Sequence, residues 1–436
     1  MNSLAKRPEL VLLLALVAAG SAWYFFSHIL IPHQISDAAV KGRPRGNLSD
    51  LYPRWLGARE LLLHGRNPYG REIAREIQVG YYGRLVDPTR PNDPKDQQGF
   101  AYPLYVVFLL APTVRLPFWE VQIGFRWLLV ILTGASVLLW LRVLRWRPPL
   151  VVKATWIAVT LGCFPAIQGL KLQQLSLLVC ALLAACAAAV ASGALIIAGI
   201  LLAVATIKPQ LTGILAAWLL LWAIADWGSR KRLVVSFFVT MAILLAGSEM
   251  LLPGWIGLFR AAAADYLQYT GGGKSILDVG LSTALGKPLA VILVIALAVL
   301  CWRVCREPAD SSAFAWTLAL VLAVTIVVIP TFALYNQLLL LPAFMLVVRS
   351  LSEVWGKGRM ARLFVVITGS AILWSWVTAA LADLALGVLP HELVLKTWAV
   401  PLYPSLAIPV AVLGLLAVTT RSALAIRPLS SASVSA

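Results

Sequence analysis

Long apolar runs alternate with short charged connections from near one end of the chain to the other. Most of the runs approach the length at which a helix crosses about 30 Å of hydrocarbon. The first, Glu9 to about Ser27, follows Lys6 and Arg7 and has no convincing small-residue cleavage site near Trp23 to His28, so it reads as a retained signal anchor with a cytoplasmic N-terminus. Further spans are expected from about Trp119 to Leu141, Ala154 to Ile167, Leu175 to Ala191, Ala194 to Thr206, and Leu211 to Ala225. Then come Leu233 to Leu252, Ala284 to Leu300, Ala313 to Ile329, Leu338 to Val348, Phe364 to Leu386 and Pro401 to Thr419. With the first, that makes about twelve, the pattern of an all-α polytopic membrane protein forming a single integral membrane domain over residues 1–436.

The polar stretches give this array its two sides. The longest, from His28 to about Gly99, is expected outside, so that residues 28–118 form an external segment with membrane-surface helices. Within it, Leu48 to Tyr69 reads LSDLYPRWLGARELLLHGRNPY: Leu51, Trp55, Ala58, Leu62 and Leu63 share one helical face, and Arg54, Arg59, Glu60 and His64 fall mostly on the other. Ser49 or Asp50 sits where an N-cap would, and Gly65 where the helix would stop. Phe100 to Pro117, apolar but short and broken by prolines, either spans, which would put Arg142, Arg145, Arg147 and Lys153 outside against the positive-inside tendency, or is re-entrant or surface-lying, the option taken here. The basic loops Asp226 to Arg232, Arg303 to Asp310 and Arg349 to Arg362 then all fall inside. Outside lie Asp50, the turns Gln168 to Gln174, Lys208 to Gln210 and Pro330 to Gln337, the loop Pro253 to Thr283, and Leu389 to Thr397. The Ser-rich tail Ser430 to Ala436 reads as disordered.

Composition agrees with this layout. Hydrophobic residues make up 60% and charged residues only 13%, too apolar for a water-soluble chain of this length. The formal charge of +17 comes from Lys and Arg clustered beside the spans, which suits orientation and anionic lipids and leaves no groove for nucleic acid. Five Cys lie in or beside apolar spans without metal-ligand spacing and read as packing residues. No ligand cluster implies a metal and no motif implies a cofactor. A gathering of Asp50 with Asp87, Asp93 or Asp96 is the one arrangement that would change this.

The chain lacks a P-loop, a dinucleotide glycine fingerprint, an HExxH and a GxSxG elbow. The glycine run at Thr270 to Ser275 lacks the preceding strand and spacing of a phosphate loop, and reads as an external lid. Lys208, in TIKPQLTG, interrupts apolar helices and needs water or a partner. It reads either as snorkelling beside Pro209 or as pairing with a lipid phosphate or pyrophosphate. Lys171 with Gln168, Gln173 and Gln174 makes a second polar turn. Trp55, Tyr69, Tyr102, Tyr105, Trp119 and Trp255 suit either sugar stacking or an interfacial aromatic belt, and His64 and His391 have no partners at metal spacing. Asp50 itself reads either as a cap or as a functional carboxylate.

With these residues laid out, the chain resembles glycosyltransferase family 87, membrane enzymes of the GT-C type related to mycobacterial mannosyltransferases that take sugar from polyprenyl-phosphate mannose. DLYPRWLGARELLLHGRNPY (50–69) is similar to the family's Asp, aromatic, small-residue and Leu-pair pattern ahead of Pro-Tyr. FAYPLYVVFLLAP (100–112) is similar to its Phe-x-Tyr-Pro-Pro segment, with Leu104 in place of the second Pro. The turn ending in QLSLL, the Lys-Pro-Gln at 208–210, and a turn and span bracketed by Pro330 and Pro342 also fit. Where mycobacterial members carry a His pair before Leu-Leu-Pro, this chain has Tyr335 and Asn336, neither a ready base near neutral pH.

The resemblance implies a GT-C fold and inverting transfer of a hexose, expected to be mannose, from a polyprenyl-phosphate donor to a lipid or glycan acceptor. Asp50 would be the base. Lys208, with Lys171, would meet the donor phosphate, and Tyr52, Arg54, Tyr69, Tyr102, Gln174, Gln210, Tyr335 and Asn336 would contact substrate. The expected setting is the inner (plasma) membrane, with the active site on its extracytoplasmic face and membrane lipids around it. A transporter or flippase of lipid-linked sugars is the alternative. It predicts charged or broken mid-bilayer segments and related halves, and it leaves the Asp50 helix unexplained.

Overall fold

The computed structural model describes residues 7–269, 273–330 and 332–425. Lys6, the glycines at 271 and 272, Arg427 and the tail from 430 to 436 lie outside the described residues. Among those described, every regular element is a helix and there is no strand.

Six helices are long and apolar enough to cross a membrane on their own: Pro8–Val40, Phe118–Val143, Trp227–Leu251, Thr283–Val304, Arg359–Ala385 and His391–Thr419, the first and last including 3-10, π or bent turns. A seventh candidate is a broken pair, Leu150–Leu161 and Phe164–Leu172, bent by 58°. The remaining apolar helices, Leu175–Ala191, Leu195–Ala205, Pro209–Ile224, Ser312–Val328 and Leu334–Arg349, have 10–17 residues. Length sorts them by position. Leu175–Ala191 and Ser312–Val328 are buried almost all round. The long helices instead turn large apolar side chains outward, among them Trp127 (63% exposed), Ile131, Ile243 and Leu384. In a chain with this many crossing helices such surface faces lipid.

Several boundaries differ from the hydropathy reading, each for a local reason. The first helix does not end near Ser27: a π turn over Phe26–Leu30 absorbs an extra residue and the helix resumes from Ile31 to Val40. The expected span Ala154 to Ile167 is broken at Gly162 and Cys163. The freed carbonyls there are taken by indoles, Trp23 Nε1 on Leu161 O (3.2 Å) and Trp376 Nε1 on Gly162 O (3.1 Å). Those partners let a break exist among apolar neighbours. Most of the expected loop Asp226 to Arg232 is the first turn of a helix, with Arg230 stacked on Trp222 and donating to the Cys305 carbonyl. Phe100 to Pro117 holds only the helix Val106–Leu110 and a 3-10 turn, too short to cross.

The helix Tyr52–His64 also departs from its expected two-faced form. Arg54 and Glu60 are buried together with Trp55, Leu56, Ala58 and Leu61, so the helix is sunk into protein on nearly every side. Glu60 tolerates this because Arg66 (2.8 Å) and His64 (3.0 Å) meet its carboxylate. Gly65 ends the helix in the left-handed conformation (φ 65°), as the sequence predicts.

Helix Leu195–Ala205 packs on both Trp227–Leu251 and Leu175–Ala191 and leads directly to Lys208. Its crossing with Trp227–Leu251 depends on Gly199, where a Cβ would collide with the Leu233 carbonyl and lie 2.8 Å from the Phe237 amide nitrogen. Gly199→Ala must push the two backbones apart. It is expected to destabilise the protein by about 1–3 kcal/mol, read as a lowered unfolding temperature in detergent. Gly213→Ala, where a Cβ meets nothing within 4 Å, serves as the neutral control.

Candidate active site

Asp50 is held by a strap. Residues 46–50 run across the C-terminal end of the helix Arg71–Tyr82: Gly46 and Leu48 donate to the Tyr81 carbonyl (3.1 and 3.2 Å), and Asn47 donates to the Gly80 carbonyl. Gly46 has no alternative, because a Cβ there would strike the backbone of Gly80, Tyr81 and Gly83. From the other side comes the end of the broken helix, which turns at Gln173 (φ 50°). The Asp50 amide donates to Leu172 O (2.9 Å), and Ser49 Oγ donates to Gln173 Oε1 (2.7 Å). The bend at Gly162 thus has a local outcome: it brings residues 172–174 to Asp50.

Asp50 is not a cap. The N-cap position belongs to Leu51, Pro53 supplies the first turn, and no side chain caps the helix. The carboxylate instead accepts from two directions, Tyr81 Oη on Oδ1 (3.0 Å) and Gln174 Nε2 on Oδ2. Burial together with the neighbouring Asp50 charge pushes the Tyr81 hydroxyl well above the usual phenol range, so it stays protonated and donates.

Gln174 joins Asp50 to a cation. While its amide nitrogen faces Asp50, its Oε1 accepts from Lys208 Nζ (2.9 Å), and only this orientation of the amide satisfies both neighbours. Lys208 occupies the N-cap position of the helix Pro209–Ile224, and the residue is buried, 6% exposed. It donates also to Ser176 Oγ (2.7 Å), which donates onward to Asn336 Oδ1 (2.7 Å). The rings of Tyr102 and Tyr335 lie 5.6 and 5.5 Å from Nζ. Hydroxyl, amide and ring faces therefore surround the charge, and no carboxylate pairs with it among the described residues. Two of its three N–H donors are engaged.

These groups line a cavity of about 260 Å³, walled by Arg54, Tyr102, Gln174, Lys208, Tyr266, Tyr335 and Asn336, with Gln210 exposed at its edge. Arg54 donates to the Asp50 carbonyl (2.9 Å) and stacks on Tyr102 (4.4 Å), while its buried Nε has no partner among the described residues. Next to it, sharing Ala101 and Tyr266, lies a wider cleft of about 620 Å³ lined by Tyr69, Arg71, Arg75, Asp96 and Asp265. Burial raises the Asp96 carboxyl above the usual carboxylate range.

Of the residues named from the sequence, Asp50, Arg54, Tyr102, Gln174, Lys208, Gln210, Tyr335 and Asn336 thus come together. Three stand apart. Tyr52 packs edge-on against Phe118, and Tyr69 donates to the Tyr102 carbonyl (2.7 Å) from outside the cavity. Lys171 turns to Ser27 and the Trp23 ring. Tyr81 carried no signal in the sequence, since it acts through a contact between distant segments; Ser49 was marked only as a possible N-cap and is bonded instead to Gln173, and Ser176 stood inside the QLSLL motif. Asp93 is clamped bidentately by Arg84 and Asp87 accepts from Thr89, so neither reaches toward Asp50. Among the described residues no three His, Cys, Asp or Glu side chains converge as metal ligands, and all five Cys are unpaired.

The model of Glycosyltransferase family 87 matches residues 100–330, over half of the chain. The chain belongs to glycosyltransferase family 87. This family-87 protein is therefore a membrane glycosyltransferase. The matched stretch contains Tyr102, Gln174, Lys208 and Gln210, and leaves Asp50, Arg54, Tyr335 and Asn336 outside it. No curated protein and no solved structure matches the chain.

If the Gln174 amide alone links Asp50 to Lys208 in this family-87 protein, Gln174→Leu leaves each charge short of a partner. The expected cost is about 1–3 kcal/mol for each group left unsatisfied. Gln210→Leu, at the exposed edge, should change stability by no more than about 0.5 kcal/mol. Thermal unfolding of the two variants side by side checks both.

Proposed function

We propose that this glycosyltransferase transfers a hexose, mannose first among the candidates, from a polyprenyl-phosphate donor to a hydroxyl of a lipid or glycan acceptor, with inversion. The observation that carries the reading is the hydrogen-bonded sequence Tyr81, Asp50, Gln174, Lys208, whose last two members line the cavity. It offers one carboxylate for a proton and one buried ammonium for an anion, at fixed separation.

In the proposed step the acceptor oxygen attacks the anomeric carbon as the bond from that carbon to the phosphate oxygen breaks. The hydroxyl proton passes to Asp50, and the polyprenyl phosphate leaves with the bonding electron pair. A carboxylate has about four acceptor positions, so the bonds from Tyr81 and Gln174 leave room for the acceptor hydroxyl. A single in-line displacement uses no covalent intermediate and inverts the configuration.

Lys208 receives the charge that grows on the leaving phosphate. Its cost of burial is already met by Gln174, Ser176 and the two tyrosine rings, so a phosphate oxygen is accepted without the ammonium having to reorganise. Arg54, whose buried Nε has no partner among the described residues, suits a sugar hydroxyl or a second phosphate oxygen. Lys171, turned to Trp23, is left out of this role. The acceptor enters through the adjoining polar cleft, where carboxylates, arginines and tyrosines suit a hydroxyl-rich molecule. We take both openings to lie on the extracytoplasmic side of the inner membrane, opposite the basic loops.

The test is transfer of radiolabelled mannose from synthetic polyprenyl-phosphate mannose to a total host lipid extract, with purified wild type, Asp50→Asn and Lys208→Met. Wild type is expected to yield labelled product. Asp50→Asn should lose it almost entirely, and Lys208→Met should lower turnover by about 10²- to 10³-fold, the scale of removing one preorganised electrostatic donor. Equal labelling by wild type and Asp50→Asn would remove Asp50 as the base. No product from any of the three would overturn the polyprenyl-phosphate mannose donor and return the flippase reading.

A further inference from the structure

A second carboxylate stands close to Asp50 and has no part in the proton transfer. Asp96 lines the cleft of about 620 Å³ that adjoins the Lys208 cavity. Two adjacent phenols set its place relative to Asp50. Tyr81 donates to the Asp50 carboxylate, and Tyr82, its ring edge-on to that of Tyr81 with centroids 4.8 Å apart, donates to the Asp96 carbonyl (2.8 Å). The two acidic groups are near enough for their charges to repel, and the Arg54 guanidinium attracts both. Tyr266, which feels both charges, is a wall common to the cleft and the cavity.

What Asp96 offers a ligand follows from the bonds it already has. Its Oδ1 accepts from the Gln98 backbone N–H (2.9 Å) and its Oδ2 from Gln98 Nε2 (2.9 Å), which leaves an acceptor position open on each oxygen, side by side. Burial and the Asp50 charge both work against its ionised form, and no Lys, Arg or His pairs with it among the described residues. Two neighbouring O–H donors would satisfy it. The rest of the cleft narrows the class of ligand. Arg71 and Arg75, on the helix Arg71–Tyr82, and Asp265, on the helix Trp255–Tyr269, are exposed there, so with Asp96 two cations and two anions line one space. An anionic head group would meet both carboxylates, whereas a neutral polyol finds donors and acceptors together.

We infer that Asp96 grips two neighbouring hydroxyls of the acceptor, one on each carboxylate oxygen, and so presents a further hydroxyl to Asp50. The acceptor is then a sugar or another polyol with a vicinal diol. A lipid with a single hydroxyl is refused, because it leaves the Asp96 oxygens without partners in the occupied cleft. The inference rests on the transfer reaction proposed above and adds the acceptor's class to it. Asp96 binds substrate and exchanges no proton.

The experiment uses the full-length protein in bilayer nanodiscs, synthetic polyprenyl-phosphate mannose as donor, and the host lipid extract as acceptor. The extract is used untreated, or oxidised with periodate and reduced with borohydride beforehand. Periodate cleaves vicinal diols and leaves isolated hydroxyls. Wild type is expected to label the oxidised extract at least about tenfold less than the untreated one. Equal labelling of the two overturns the proposal and leaves the transfer reaction standing. That arm needs no variant, so it decides even where a substitution unfolds the protein. On untreated extract Asp96→Asn should raise the acceptor KM about 10- to 100-fold and leave kcat within about twofold, the mark of bonds made equally in the ground and transition states. Asn keeps an oxygen for the Gln98 N–H, so the turn survives. Gln98→Ala, which removes only the Nε2 bond, should leave KM within about twofold. An unchanged KM in Asp96→Asn, or the same rise in Gln98→Ala, overturns the proposal by making Asp96 a residue of the loop alone. No product from wild type on untreated extract defeats the polyprenyl-phosphate mannose donor, and the acceptor role with it.

Discussion

A buried ammonium with no carboxylate paired to it among the described residues is the constraint on which the centre of this protein depends. Lys208 is held by one amide oxygen, one hydroxyl and two aromatic faces, contributed by segments far apart in the chain. Each of them must arrive for the charge to be tolerated at that depth. A direct ion pair with Asp50 would have met the same cost more simply, but it would have spent both charges on each other. The Gln174 amide between them stabilises the carboxylate with its N–H and the ammonium with its oxygen, and neither charge is neutralised. That spacing is what makes the pair useful for moving a proton to one end and receiving an anion at the other.

The groups that make up this chain stand mostly at the ends and breaks of helices. Lys208 and Gln174 are N-caps, Asn336 lies in a 3-10 turn, and Asp50 sits in a strap just before a helix. Interrupted backbone among apolar helices has free N–H and C=O groups, and it persists only where side chains or a cavity satisfy them. The Trp23 and Trp376 indoles do so at the Gly162 break, and the return is that residues 172–174 reach Asp50. The short helices that end near the site are enclosed by longer ones whose outer faces meet lipid, so the irregular backbone stays away from the hydrocarbon.

Much of this was legible in the sequence, for identifiable reasons. Hydropathy located the helices Phe118–Val143, Leu175–Ala191 and Arg359–Ala385 to within a few residues, because each is an apolar run with polar punctuation at both ends. It misread the break at Gly162, where a small apolar residue leaves the hydropathy unchanged and the deciding indoles come from other helices. It also assigned two faces to Tyr52–His64. The buried Arg54 and Glu60 on that helix are tolerated in part through partners, Tyr102 and Arg66, that periodicity within the helix cannot register.

By itself the sequence determined that this is a helical membrane protein, that it resembles a family of membrane glycosyltransferases, and that Asp50, Gln174, Lys208 and Asn336 deserve to be considered together. Those conclusions follow from composition, run length and short ordered motifs, which are properties of the chain read along its length. Only the tertiary structure decided which way each side chain faces. It turned Lys208 to Gln174 and Lys171 away to Trp23, and it brought in Tyr81, which no motif marks. The reason is physical: where a buried charge lies is decided by the partners able to satisfy it, and here the side-chain hydrogen-bond partners are 32 to 34 residues away for Lys208 and 31 to 124 for the Asp50 carboxylate.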